Sequence, residues 1–168
     1  CQMRRHLIAL QVVGVVCLLV CAADHASAGS KELQQVLIEA TSLAASGDVE
    51  QARSLYQQLI EGAPETVYAG HAYLGMAKLH IAARENEEAL AALDMALQYP
   101  STSVVSRAAL QKVTVLANRT NDYDTAIEVG EQYLQELQGV FPPYDRRLMV
   151  LQLAFAYDQA GRTEEALG

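Results

Sequence analysis

The chain has 168 residues, 51% of them hydrophobic, and a formal net charge of −8. That length suits one domain or a piece of one. The acidic balance, with no clustered run of Lys and Arg, excludes nucleic acid as the expected partner, because phosphate binding needs concentrated positive charge.

Cys1 and Gln2 precede Met3, which reads as a fragment carrying upstream codons. Arg4, Arg5 and His6 then make a basic start, 7–23 is apolar apart from Gln11, and Ala26-Ser27-Ala28 precedes Gly29. Basic, apolar, then A-x-A is the layout of a secretory signal peptide, so 1–28 is predicted to be cleaved after Ala28. A retained anchor is the alternative, although the apolar run falls short of the roughly 20 residues that span a bilayer comfortably. Leu18-Leu19-Val20-Cys21 is similar to a bacterial lipidation motif, with Val20 where that motif has a small residue. Cys1, Cys17 and Cys21 all lie in this segment. The remainder from Gly29 has no thiol and is compatible with an oxidising compartment. Removing 1–28 takes away two arginines and one aspartate and moves the net charge from −8 to −9.

From Ser30 the pattern is helical. Leu33, Val36, Leu37, Ala40 and Ala44 share one face, and Gly47 ends that helix. Asp48 with Gln51 resembles a capping box. Ala52, Leu55, Tyr56, Leu59 and Ile60 make the next apolar stripe, closed by Gly62-Ala63-Pro64. Tyr73, Met76, Ala77 and His80 follow, then Ala89, Leu93, Ala96 and Leu97. His80 is read as a packed histidine with a hydrogen bond, and His71 lies nine residues away on another face, which is not a metal-ligand spacing. After Tyr99-Pro100-Ser101 come Leu110, Val113, Thr114 and Ala117, a turn at Asn121–Asp124, and Ala126, Ile127, Gly130, Tyr133, Leu134 and Leu137. Gly130 costs about 1 kcal/mol against alanine in mid-helix, so a close helix crossing is expected there. Asn118-Arg119-Thr120 is a glycosylation sequon placed within a helix. Beyond Gly139–Pro143, the residues Val150, Leu153, Ala154 and Tyr157 form one stripe, and Leu148, Leu151 and Phe155 a second. The sequence stops at Gly168 inside an expected helix, so a continuation is expected.

These pieces repeat. Aligned on Ala52, Ala89, Ala126 and Ala166, the units recur at 37, 37 and 40 residues. Twelve residues upstream of each alanine stand Ala40, Ala77, Thr114 and Ala154; five upstream, at the turn, stand Gly47, Arg84, Asn121 and Gly161. Small residues permit close helix approach, and Gly and Asn tolerate the left-handed conformation that ends a helix. These columns, with Tyr56 and Pro64 in the first unit, resemble the tetratricopeptide (TPR) repeat from about Leu33 onward. The repeat's usual tryptophan is replaced by Val36, Tyr73, Leu110 and Val150. The Tyr99-Pro100-Ser101 link followed by a helix is similar to the TPR-like repeats of periplasmic envelope proteins, such as outer-membrane assembly and cell-division coordinators.

The resemblance implies an all-α fold, a right-handed superhelical solenoid of antiparallel helix pairs with about three and a half repeats over 29–168. It implies that the first helix of each pair lines a groove, at Gln34, Leu37, Thr41 and Ala45; His71, Leu74, Lys78 and Ala82; Ala108, Gln111, Val115 and Arg119; and Leu148, Leu151, Phe155 and Gln159. The partner-binding residues so expected are Gln34, Thr41, His71, Lys78, Gln111, Asn118, Arg119, Leu151 and Phe155. Leu37, Thr41 and Gly75 stand where some TPR domains carry the residues of a two-carboxylate clamp, so chaperone tails are not the expected ligand.

The sequence carries no nucleophile elbow, P-loop, zinc-protease motif or cysteine cluster. Glu87-Glu88 and Glu164-Glu165 lie where second helices begin and complement the helix dipole rather than forming an acid/base pair. The expectation is a non-enzymatic exported scaffold, periplasmic or secreted, that uses no cofactor or metal and binds a protein or peptide. Membrane contact is expected only through an uncleaved N-terminal segment. The alternative is the helical arm of a larger envelope enzyme or glycan-export protein.

Overall fold

The computed structural model describes residues 29–165, which fall into two units divided between residues 36 and 37. Residues 29–36 of the first unit are helical, and Gln34 is exposed. The predicted signal segment, its cleavage site and the alternative anchor lie outside the described residues, as does Ala166. Among the described residues no helix is long and apolar enough to cross a membrane.

The second unit is built from helices alone among its described residues. They are α1 (37–46), α2 (Val49–Gly62), α3 (Val67–Ala83), α4 (Asn86–Leu97), α5 (Thr102–Val115), α6 (Tyr123–Glu136) and α7 (Pro143–Gln159). A π-helical turn, Leu116–Thr120, extends α5. From α2 onward each helix packs on the next, and α5 also packs on both α3 and α7. The odd-numbered helices therefore form one layer and the even-numbered helices the other, as expected of stacked helical pairs.

The turn column explains the regularity. Gly47, Arg84, Asn121 and Gly161 all adopt left-handed backbone, with φ of 95°, 65°, 56° and 71°. Each ends the first helix of a pair and turns the chain into the second. Arg84 does so at a steric cost of about 1 kcal/mol that glycine would not incur. Five residues on, Ala52, Ala89 and Ala126 are fully buried. Asp122 caps α6, its carboxylate accepting from the Thr125 amide at 3.2 Å. The expected capping box at Asp48 and Gln51 does not form: Asp48 makes no cap bond, and its carboxylate accepts from the Ser46 hydroxyl at 3.2 Å. That nearer donor competes with the helix amides.

Two apolar clusters fill the layers. One joins Leu74, Leu93, Val104 and Val115; the other joins Val113, Ile127, Phe141, Met149, Leu153 and Tyr157. Gly130 lies in the second cluster's helix crossing, as expected from its cost. A Cβ there would stand 2.6 Å from the Leu153 side chain, which would have to move to admit it. His80 is partly buried, with Nδ1 2.6 Å from Glu85 Oε2.

In α7 the buried stripe is Met149, Leu153, Ala156 and Tyr157. Leu153 and Tyr157 were expected, whereas Val150 and Ala154 are exposed. These two face away from α6, and no described element covers them.

The π turn has the widest consequence. A π-helical turn takes up one extra residue relative to α-helix. Counting back from Asn121 through it, every earlier position of α5 is displaced by one. Ala108, expected to line the groove, is instead buried in the core at 0% exposure, and Val115, at 1%, belongs to the core and reaches only the wall of a small cavity. Arg107 is exposed and Thr114 half-exposed, and they occupy the groove positions in their place.

Candidate functional site

A cavity of about 540 Å³ opens between α1, α3 and α5. Its apolar walls are Leu37, Ala44 and Ala45 from α1 and Leu74, Leu79 and Ala82 from α3. Tyr56 closes one side. Its ring lies against Gly75, where a Cβ would come within 2.3 Å, and its hydroxyl donates to Thr41 Oγ1 at 3.4 Å. The polar groups at the cavity are Thr41, His71, Lys78 and Arg107. The first three were expected from the repeat positions. Arg107 was not, because the sequence count placed Ala108 there.

Burial holds the His71 imidazole below its ordinary value of 6.5, and the positive charges of Arg107 and Lys78 push the same way. No carboxylate lines the cavity. Among the described residues none lies within ion-pair distance of Lys78 or Arg107. By contrast Lys112, on another face of α5, reaches α4 and holds Asp94 at 2.5 Å.

The surrounding charge is sorted by layer. Helices α3 and α5 contain no Asp or Glu, whereas α2, α4 and α6 contain nine carboxylates and one cation, Arg53. The net charge of −8 thus belongs to the outer layer and conceals a cationic inner one. This was the signal that sequence reasoning missed: two consecutive first helices without an acidic residue.

A second cavity of about 240 Å³ lies between α3 and the C-terminal half of α5, lined by Ile81, Leu110, Gln111, Thr114, Val115 and Arg119. Ile81 adjoins Ala82 of the first cavity, so the two lie side by side near the C-terminal end of α3. The Thr114 hydroxyl donates to the Leu110 carbonyl at 2.8 Å. Gln111 Oε1 is buried and accepts no hydrogen bond. A buried acceptor left unmet costs about 1–3 kcal/mol, and a bound N–H donor would recover it.

The remaining expected residues do not join these cavities. Asn118 Nδ2 donates to Gln152 Oε1 at 2.8 Å, tying the π turn to α7. Leu151 is exposed on α7, and Phe155 packs edge-on against Tyr123, with ring centroids 6.3 Å apart. The expected groove is therefore two cationic and polar cavities over α1–α5 followed by an exposed apolar face on α7. Among the described residues no group of three or more His, Cys, Asp or Glu could hold a metal ion.

Comparison with known proteins agrees with this architecture. Residues 43–110, which run from the end of α1 into α5, match the family model of the tetratricopeptide repeat. No curated protein matches the chain.

Proposed function

Because the chain is a tetratricopeptide repeat protein, and such repeats bind protein partners, we propose that it is an exported scaffold that captures an extended segment of another envelope protein. The segment crosses from α3 toward α5 over the two neighbouring cavities.

The observation that carries this reading is the unmet Gln111 acceptor in a cavity beside the first. An extended peptide offers backbone N–H groups at regular intervals and apolar side chains between them, which match an isolated acceptor beside Leu and Ile walls. Export is supported by the basic, apolar and A-x-A pattern ending at Ala28 and by the absence of cysteine from Gly29 onward. N-terminal sequencing of the protein recovered from cells tests the location. A start at Gly29 supports export, and an intact Met3 or Cys1 start opposes cleavage.

The groove is tested by pull-down with Lys78→Ala and Arg119→Ala. Each should reduce recovery of the partner roughly fivefold or more, as expected for loss of one charged hydrogen-bond donor, with an unchanged helical circular dichroism signal. Unchanged recovery of every partner by both variants would refute binding at these cavities.

A further inference from the structure

We propose that the first cavity is selective for an acidic side chain within the captured segment, with the carboxylate received by Lys78, Arg107 and His71 and the neighbouring apolar side chains by the walls of α1 and α3. This rests on the peptide-binding reading and adds the chemistry of the ligand.

Three observations converge on it. The cationic groups come from two helices and meet at one cavity, and no carboxylate lines it. Among the described residues two cations elsewhere are ion-paired. Lys112 binds Asp94, and Arg162 binds Asp124 and Glu165. Lys78 and Arg107 have no such partner among the described residues, whereas Lys112, on the same helix as Arg107, does. The segregation also favours an acidic segment sterically and electrically. Its charge meets cations on the inner helices, while the nine carboxylates of α2, α4 and α6 lie in the other layer. That outer charge disfavours a long polyanion that would overlap both layers.

The ligand carboxylate comes from an internal residue rather than a chain end. The groove does not stop at the basic cluster, since a second cavity, touching α3 at Ile81 beside Ala82 of the first, opens on the α5 side. A segment that also meets Gln111 continues past the cluster, so its charge there must be a side chain. His71 contributes a second property. Burial and the two cations keep it below its usual value of 6.5, and a bound carboxylate reverses that bias. The groups facing it are Lys78 on its own helix, Arg107 on α5 and Tyr56 on α2, with Thr41 the polar contribution of α1. Binding should therefore strengthen as pH falls from about 7.5 toward 6, as the imidazole takes up a proton in the complex.

The test is an array of acetylated, amidated nonapeptides with Glu, Gln or Lys fixed at the centre and the other positions randomised, probed with the full chain. Terminal capping removes the chain-end carboxylate, and a matched set with a free C-terminus and central Gln restores it alone. Glu-centred peptides should retain about tenfold more protein than Gln-centred ones, the difference expected of one charge-assisted contact. Arg107→Gln and Lys78→Gln should each erase most of that preference, and Lys112→Gln should leave it intact. Equal retention on Glu and Gln pools overturns the acidic selectivity while leaving peptide capture standing. Retention only with a free C-terminus, or an equal effect of Lys112→Gln, also overturns it. Retention on no pool removes both readings. A labelled single-stranded oligonucleotide bound more tightly than the best Glu peptide would reassign the cluster to phosphate.

Discussion

The crossings of α2 with α3 and of α6 with α7 solve one packing problem in opposite ways. In the first, the outer helix supplies the large side chain: Tyr56 packs on Gly75. In the second, the outer helix supplies the gap: Leu153 packs on Gly130. Tyr56 and Gly130 occupy the same repeat column, four residues after Ala52 and Ala126. What the repeat conserves along this chain is the summed size across the crossing, not the residue in either helix. Interiors are close-packed, so a large residue on one side requires a small one on the other.

Substitutions at the two crossings should differ accordingly. Leu153→Ala removes a buried side chain and leaves Gly130 facing a void, so the largest loss is expected there, about 2–5 kcal/mol in urea unfolding. Gly75→Ala should cost about 1–3 kcal/mol, because the new methyl meets a rigid ring that Thr41 helps to hold. A Tyr56→Leu background should shrink that penalty, which a double-mutant cycle reads directly. Gly130→Ala should change stability by less than about 1 kcal/mol, since the Leu153 methyls can shift and alanine recovers helix propensity. If Gly75→Ala and Gly130→Ala proved equally costly, the contrast between ring and flexible side chain would fail.

Smaller effects should come from the turns and from His71. Arg84→Gly should raise stability by about 0.5–1 kcal/mol by relieving a left-handed arginine, whereas Gly161 and Gly47 offer no such gain. His71 is depressed in the folded state, so the unfolded chain binds its proton first as pH falls through 6.5. Stability is then full above 6.5 and declines as pH drops from there toward the lowered folded value. His71→Asn should flatten this part of the profile in urea melts at pH 7.5 and 5.5.

Much of this architecture is legible in the residues. The turn column is readable because Gly47, Asn121 and Gly161 are residues that accept positive φ, and the alignment alone carried Arg84 with them. Gly130 announced a close crossing through its cost in a helix. The cavity residues Thr41, His71 and Lys78 followed from register in α1 and α3, where the count to the turn is purely α-helical. The same count failed in α5 because nothing in Leu116-Ala117-Asn118-Arg119-Thr120 marks a π turn. It is held by tertiary contacts, including the Asn118–Gln152 bond. That one-residue slip exchanged Ala108 for Arg107 and hid a third cation. The Asp48 cap failed for a local reason, a competing serine hydroxyl, and the α7 stripe because burial there depends on which faces find a neighbour.

That slip decides which face of α5 meets a partner. Replacing Cys1, Cys17 and Cys21 by serine gives a thiol-free background for single cysteines at 107, 108, 114 and 115. The account predicts rapid maleimide labelling of Arg107→Cys and Thr114→Cys in the folded protein, with Ala108→Cys and Val115→Cys protected until denaturant is added. Rapid labelling at 108 and 115 with protection at 107 and 114 would contradict it, returning α5 to an uninterrupted register and removing Arg107 from the cavity.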